Sequence, residues 1–324
     1  MVDLRAAWRR LAMLAGTVLC LWAFASPAQA QSCNISVIAP AFGSVDVLGG
    51  APATGYGSLS VTCSGAANQV VQVCASFGAG SGGAASDGSA RNMINGAGVL
   101  RYNLYQDAQM STVWGSVFGD MGATSPPSVL VALNLSGSGS ANVPINASVF
   151  GGQASSVAPS TYASTITANY RFAYYSGLGC QSVNTNASTS TFLMTATYVP
   201  NCNVATSDLN FGSFAIMTAP VDGIGRVSVT CSAGSSYTIA LSGGVANSTD
   251  PTQRHLSRGA DLFIRYGLYR DTSHVLPWGS DLNTLNGGTG VGSAQQFNVF
   301  GRIPVQVLPP AGTYQDTIIA TVAY

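Results

Sequence analysis

Short segments of alternating apolar and polar residues recur along the chain, as in Leu59-Ser60-Val61-Thr62-Cys63 and Val227-Ser228-Val229-Thr230-Cys231. A period of two sends successive side chains to opposite faces of an extended strand, one toward a core and one toward solvent. On this pattern strands are expected near 58–63, 69–77, 99–106, 129–135 and 161–170, and again near 226–231, 236–242, 262–270, 303–308 and 315–323. Gly- and Ser-rich stretches between them supply turns. Each group of strands has the size of one immunoglobulin-like antiparallel sandwich, so an all-β fold of two tandem domains is expected.

One apolar run breaks the alternation. Leu11 to Phe24 carries no charge, follows Arg5, Arg9 and Arg10, and is followed by Ala28-Gln29-Ala30. A basic start, a short apolar run and a small-x-small site read as a secretory signal peptide over residues 1–30. The run is shorter than the roughly 20 residues that a membrane-spanning helix needs. Cleavage leaves about 290 of the 324 residues, enough for two domains.

The two groups of strands are copies. Cys33-Asn34-Ile35 matches Cys202-Asn203-Val204, and Phe42-Gly43 matches Phe211-Gly212. Tyr102-x-Leu104-Tyr105-x-Asp107 matches Tyr266-x-Leu268-Tyr269-x-Asp271, and Trp114-Gly115 matches Trp278-Gly279. Val149-Phe150-Gly151 matches Val299-Phe300-Gly301, and the segment 159–166 matches 311–318. With Cys20 in the leader, six cysteines remain: Cys33, Cys63, Cys74, Cys180, Cys202 and Cys231. An even count in an exported chain points to disulfides. The repeat assigns Cys33–Cys63 and Cys202–Cys231, which leaves Cys74 and Cys180 to each other.

Charge removes several function classes. The chain holds 12 Arg, 12 Asp, no Lys and no Glu, and the part after residue 30 is slightly acidic. That is no footprint for nucleic acid. His255 and His274 stand in no metal-ligand spacing, no Gly-x-Ser-x-Gly elbow is present, and no phosphate loop carries its Lys. No catalytic residue, cofactor or metal is therefore expected. Asp107 and Asp271, at strand ends, are expected to hold turn backbone.

The series Cys…Phe-Gly…Val-Thr-Cys…Tyr-x-Leu-Tyr-x-Asp…Trp-Gly…Tyr-x-Asp-Thr-Ile resembles the spore coat protein U domain family over essentially all of the mature chain, better in the second copy. The resemblance implies subunits of archaic chaperone–usher pili, whose two-domain members are tip adhesins. It implies a pilin-type sandwich lacking its last strand, completed by a strand donated from the next subunit and guarded before assembly by a periplasmic chaperone. On that reading residues 31–199 form an adhesin-like domain completed internally by strand 190–199, with Phe192, Met194, Ala196 and Tyr198 pointing inward. Residues 200–324 form a pilin domain awaiting a donor strand.

Only Gln31 and Ser32 precede Cys33, too few to donate a strand, so a tip position is expected. The implied partners are the chaperone, an outer-membrane usher, the next subunit, and an abiotic or host surface. The implied route runs through the periplasm to the pilus tip, for surface attachment and biofilm formation. A structural coat or shaft subunit, or a secreted carbohydrate-binding protein, are the alternatives. Strand counting places 64–68, 108–128 and the loop near Cys180 at the pole away from the second domain. Val117, Phe118, Met121, Phe172, Tyr174, Tyr175 and Leu178 are the candidate adhesive side chains there. A few hundred Å² of buried apolar contact is worth several kcal/mol, at about 25 cal/mol per Å², before ordering costs.

Overall fold

The computed structural model describes residues 31–153, 157–185, 187–259 and 261–324. The expected signal peptide lies outside them. The first module contains β1 (Ser32–Ala41), β2 (Ser44–Val45), β3 (Ala53–Ser64), β4 (Val70–Phe77), β5 (Arg91–Asn95), β6 (Gly98–Tyr105), β7 (Ser128–Ala132), β8 (Ser138–Val149), β9 (Ser160–Tyr174) and β10 (Ser188–Tyr198). The second contains β11 (Cys202–Ser207), β12 (Val221–Cys231), β13 (Ser236–Leu241), β14 (Arg254–Ser257), β15 (Phe263–Tyr269), β16 (Asn286–Thr289), β17 (Ala294–Ile303) and β18 (Ala320–Ala323). A single 3-10 turn, Cys180–Ser182, is the one helical element among the described residues. The all-β expectation holds.

In the first module β1-β3-β8-β6-β5 make one face, and β7, β4, β9 and β10 make the other. A single β5–β9 pair, Ile94 with Ala163, joins them at one edge. In the second, β11-β12-β17-β15-β14 and β16-β13-β18 repeat the two faces. Alternation follows the sequence pattern: Leu59, Val61 and Cys63 of β3 are buried, as are Val227, Val229 and Cys231 of β12. Cys33 stands opposite Cys63 and Cys202 opposite Cys231 in the strand registers, and both pairs are bonded. Cys74 and Cys180 are bonded as well.

One expected strand is absent. Residues 304–308 form no strand and β17 ends at Ile303. Pro304, Pro309 and Pro310 lack the N–H that a ladder requires.

A pair of buried arginines organises both cores. Arg91 donates from Nε to the Gly78 carbonyl at 2.9 Å and from Nη2 to the Phe77 and Trp114 carbonyls at 2.7 and 2.6 Å. Its Nη1 donates to Asn103 Oδ1. Arg254 repeats this on Ser242, Leu241 and Trp278 at 2.9, 3.2 and 2.9 Å. A guanidinium fork satisfies several inward carbonyls at once, where strands part and the ladder cannot. Burial lowers Arg91 to about 10, so it stays protonated at neutral pH. Each tryptophan indole closes the same corner, Trp114 on Ala75 O at 2.8 Å and Trp278 on Ile239 O at 3.0 Å.

Candidate functional site

The modules differ along one edge. In the first, β10 runs antiparallel to β9 with eleven residues in register, Ser188 opposite Tyr170 through Tyr198 opposite Ser160. Its far side runs parallel to β2, Thr197 beside Ser44 and Tyr198 beside Val45. Phe192, Met194, Ala196 and Tyr198 point into the core and are buried, while Leu193 between them is exposed. The Phe192 ring meets Phe77 edge-on at 5.1 Å, and Phe77 stacks on Trp114 at 4.7 Å.

The second module has no counterpart of β10 or β2 among its described residues. Segment 311–323, the counterpart of β9, is held on one side only: Gln315 bridges to Ser257, and β18 pairs with β13. Its other side borders an open groove of about 450 Å³, lined by Leu209, Phe211, Leu256, Tyr266, Asp316 and Ile318, among others. The groove follows the path that β10 takes in the first module. Phe42, Tyr162, Ile166, Ala168 and Tyr170 are buried there, whereas Phe211, Tyr314, Ile318, Ala320 and Val322 are half-buried. The flank shows the same loss: Val47 is 1% exposed, and Ile216, at the matching position, is 78% exposed.

Among the polar residues that line the groove, Asp316 is held in place by three hydrogen bonds. Asp316 Oδ2 accepts from the Tyr266 hydroxyl at 2.7 Å, and its Oδ1 accepts from Val245 N and Thr317 N at 2.7 and 2.8 Å. Gly244, at φ +73°, lets the 243–248 turn lie directly against this carboxylate. Burial raises the Tyr266 hydroxyl far above its usual value, and the hydrogen bond to Asp316 raises it further.

At the other end of the first module, loops 64–68, 133–138 and 174–178 gather. Ala66 N donates to the Tyr174 hydroxyl at 2.8 Å and Gly65 N to Gly137 O at 2.9 Å. The Cys74–Cys180 bond draws the loop after β9 over the outer face of β4, where Val117, Ala173 and Val183 pack around it. Phe118, Tyr175 and Leu178 are exposed there, with the Arg171 guanidinium over the Phe118 ring at 4.6 Å.

Two candidate adhesive residues are corrected. Met121 is fully buried, because segment 116–124 folds back on the 78–88 loop, where Asp120 Oδ2 accepts from Ala79 N at 3.1 Å. Phe172 is buried because β9 continues inward-outward alternation to Tyr174. Val117 and Tyr174 are half-buried. Leu130 and Leu135, exposed on the β4 flank and in the β7–β8 turn, were not among the expected side chains. Arg91 and Arg254 also escaped notice. Their signal was a repeated Arg shortly before each Tyr-x-Leu-Tyr motif.

Asp107 and Asp271 do hold turns. Asp107 accepts from Ser111 N at 3.0 Å and Thr112 N at 2.6 Å, and Asp271 from Leu276 N at 2.8 Å. Hydrogen bonding from the Ser111 backbone draws Asp107 below the usual carboxylate range.

The Spore Coat Protein U domain model matches residues 22–169 and again 188–321. The chain belongs to the Spore Coat Protein U domain family. The second match opens at Ser188, where β10 begins. In sequence β10 is thus the front of the second Spore Coat U module, while in space it completes the first. Protein U of Myxococcus xanthus is 31% identical over 127 residues, which are 36% of this chain and 71% of that protein. Among solved structures, the complex of chaperone CsuC with tip adhesion subunit CsuE, from the archaic chaperone–usher Csu pili of Acinetobacter baumannii, matches at TM-score 0.50 and 17% identity. It covers 90% of this chain and 100% of the matched chain, a likeness of fold. The CupB6 tip adhesin of Pseudomonas aeruginosa overlaps more loosely, at TM-score 0.39 and 12% identity, over 91% of this chain and 94% of that one.

Proposed function

We propose that this chain is the tip subunit and adhesin of a chaperone–usher pilus, joined to the fibre by a strand that the next subunit donates into the second module. The observation that carries this reading is the contrast between two copies of one edge, filled by β10 in the first module and open in the second. An open edge between half-buried core residues presents unpaired backbone and apolar surface together, which is what strand addition recognises. A periplasmic chaperone guards that edge in transit, an outer-membrane usher passes the subunit outward, and the next subunit replaces the chaperone. The Csu complex pairs a chaperone with a tip subunit before assembly, which supports the chaperone as the first of these partners.

The first module faces outward and attaches cells to surfaces, the first step of biofilm formation. Phe118, Tyr175 and Leu178, together with Leu130 of β7 and Leu135 of the β7–β8 turn, are its contact side chains. Many such contacts on a bundle of fibres add by avidity.

The test is urea unfolding of the full mature chain, followed separately at Trp114 and Trp278 in single-tryptophan variants. Alone, the second module is expected to unfold well before the first. Co-purified with its chaperone, or given an extended apolar peptide, it should unfold later while the first module stays unmoved. Equal stability of both modules with no response to either addition would refute the reading.

A further inference from the structure

At one inward position the two edges differ in charge, a buried Ser164 in the first standing where the half-buried Asp316 stands in the second. Met194 of β10 stands directly opposite Ser164 of β9, and both are fully buried beside Tyr102. Tyr102 and Tyr266 occupy matching places in the repeat, and Ser164 corresponds to Asp316. A strand entering the second groove in the register of β10 therefore places, beside Asp316, the residue that corresponds to Met194. Side chains directly opposite in an antiparallel pair have Cβ atoms roughly 5 Å apart.

Asp316 lines the groove and already receives three hydrogen bonds, two on Oδ1 and one on Oδ2, so Oδ2 is the carboxylate oxygen with acceptor capacity to spare. A thioether in that place would strip water from the carboxylate and return no hydrogen bond. A hydroxyl or amide would return one. Arg254 already supplies a buried positive charge nearby, so a neutral donor suffices.

We propose that Asp316 makes the second groove select a donor strand bearing a hydrogen-bond-donating residue, Ser, Thr or Asn, where β10 bears Met194, with apolar residues two positions to either side. The inference rests on the strand-donation reading above and deepens it by naming the chemistry of the partner strand. One consequence is discrimination against self. The β10 segment of a second copy of this chain carries Met194 and fits the groove poorly, so copies of the chain are disfavoured from threading into one another and the groove is kept for a different subunit.

The experiment uses the full mature chain, whose first groove is already filled by β10. Two labelled eleven-residue peptides are titrated: one with the sequence of Ser188–Tyr198, and one identical except for the Met194→Ser change. The wild-type chain is expected to bind the serine peptide about tenfold more tightly. The Asp316→Ser variant, which recreates the first module's residue, is expected to lose or reverse that preference. Asp316→Asn keeps an acceptor for Tyr266 and should narrow the ratio, which serves if the serine variant folds poorly. Equal binding of both peptides to the wild-type chain, or a preference that survives in the variants, overturns the role of Asp316 while leaving strand donation standing. Failure of every peptide to bind any of the proteins overturns strand donation and this inference together.

Discussion

Phe192→Ala asks whether β10 is held as an integral strand of the first module. The side chain is 9% exposed, and its ring stands edge-on to Phe77, which in turn stacks on Trp114. Truncating a buried Phe costs about 3–5 kcal/mol through lost transfer energy and the cavity left behind. An edge strand with a partly accessible ring belongs at the lower end, about 3 kcal/mol. With a urea slope of about 2 kcal/mol per M, the midpoint should fall by roughly 1.5 M. Trp114 reports the transition directly, in a Trp278→Phe background that silences the second module. Leu193, next along the strand, is 55% exposed, so Leu193→Ala should change stability by no more than about 0.5 kcal/mol. The contrast between neighbours is the decisive result. A one-residue slip in register exchanges the inward and outward faces of a strand. A large loss from Leu193→Ala with little from Phe192→Ala would refute the placement of β10, and little loss from either would mean that β10 is not part of the core.

Three further outcomes follow from the same geometry. Arg91→Leu leaves the Phe77, Gly78 and Trp114 carbonyls without their donor and should cost on the order of 4 kcal/mol by urea unfolding at Trp114, with Arg91→Lys recovering little because an ammonium cannot span all three. Asp222 is held below the usual carboxylate range by its two-pronged hydrogen bond from Arg302, so its contribution is complete at pH values well above the ordinary Asp value of about 3.9 and is lost as pH falls through the lowered value. Because the pair is half-exposed, Asp222→Asn should cost less than about 1 kcal/mol at pH 7, and the difference from wild type should vanish in titrations carried to strongly acid pH. Replacing Phe118, Tyr175 and Leu178 together by Ser should lower attachment of piliated cells severalfold at unchanged pilus number; undiminished attachment would remove these side chains from the contact surface.

Much of the framework was legible because it depends on spacing alone. Alternation marks β3 and β12 within a few residues, and duplication pairs four of the six cysteines, since an antiparallel register must bring the start of one strand beside the end of the next. Legibility failed where burial is decided by distant neighbours. Phe172 shares the inward parity of Ile166 and Tyr170, but the alternation visible in the sequence ends at 170 and places Phe172 in a loop, whereas β9 runs on to Tyr174. Met121 has no periodic context at all, and only the fold-back of its loop buries it. Arg91 and Arg254 look like surface charges in a chain poor in charge. Their burial becomes reasonable only once several carbonyls are seen converging on one point.

By itself, the sequence determines two modules of alternating strands, their cysteine pairing and the absence of a basic face, because these follow from local periodicity and counting. The family resemblance already implies that strand 190–199 closes the first module, and the tertiary structure gives the register in which β10 does so and the residues that line the groove left open. Backbone hydrogen bonding is indifferent to chain order, so a segment that reads as the front of the second module can close the first. The same packing places Asp316 on the floor of the open groove, with Ser164 its counterpart in the closed one. The exchange of Ser164 for Asp316 between the two copies thereby acquires a meaning that spacing alone does not carry.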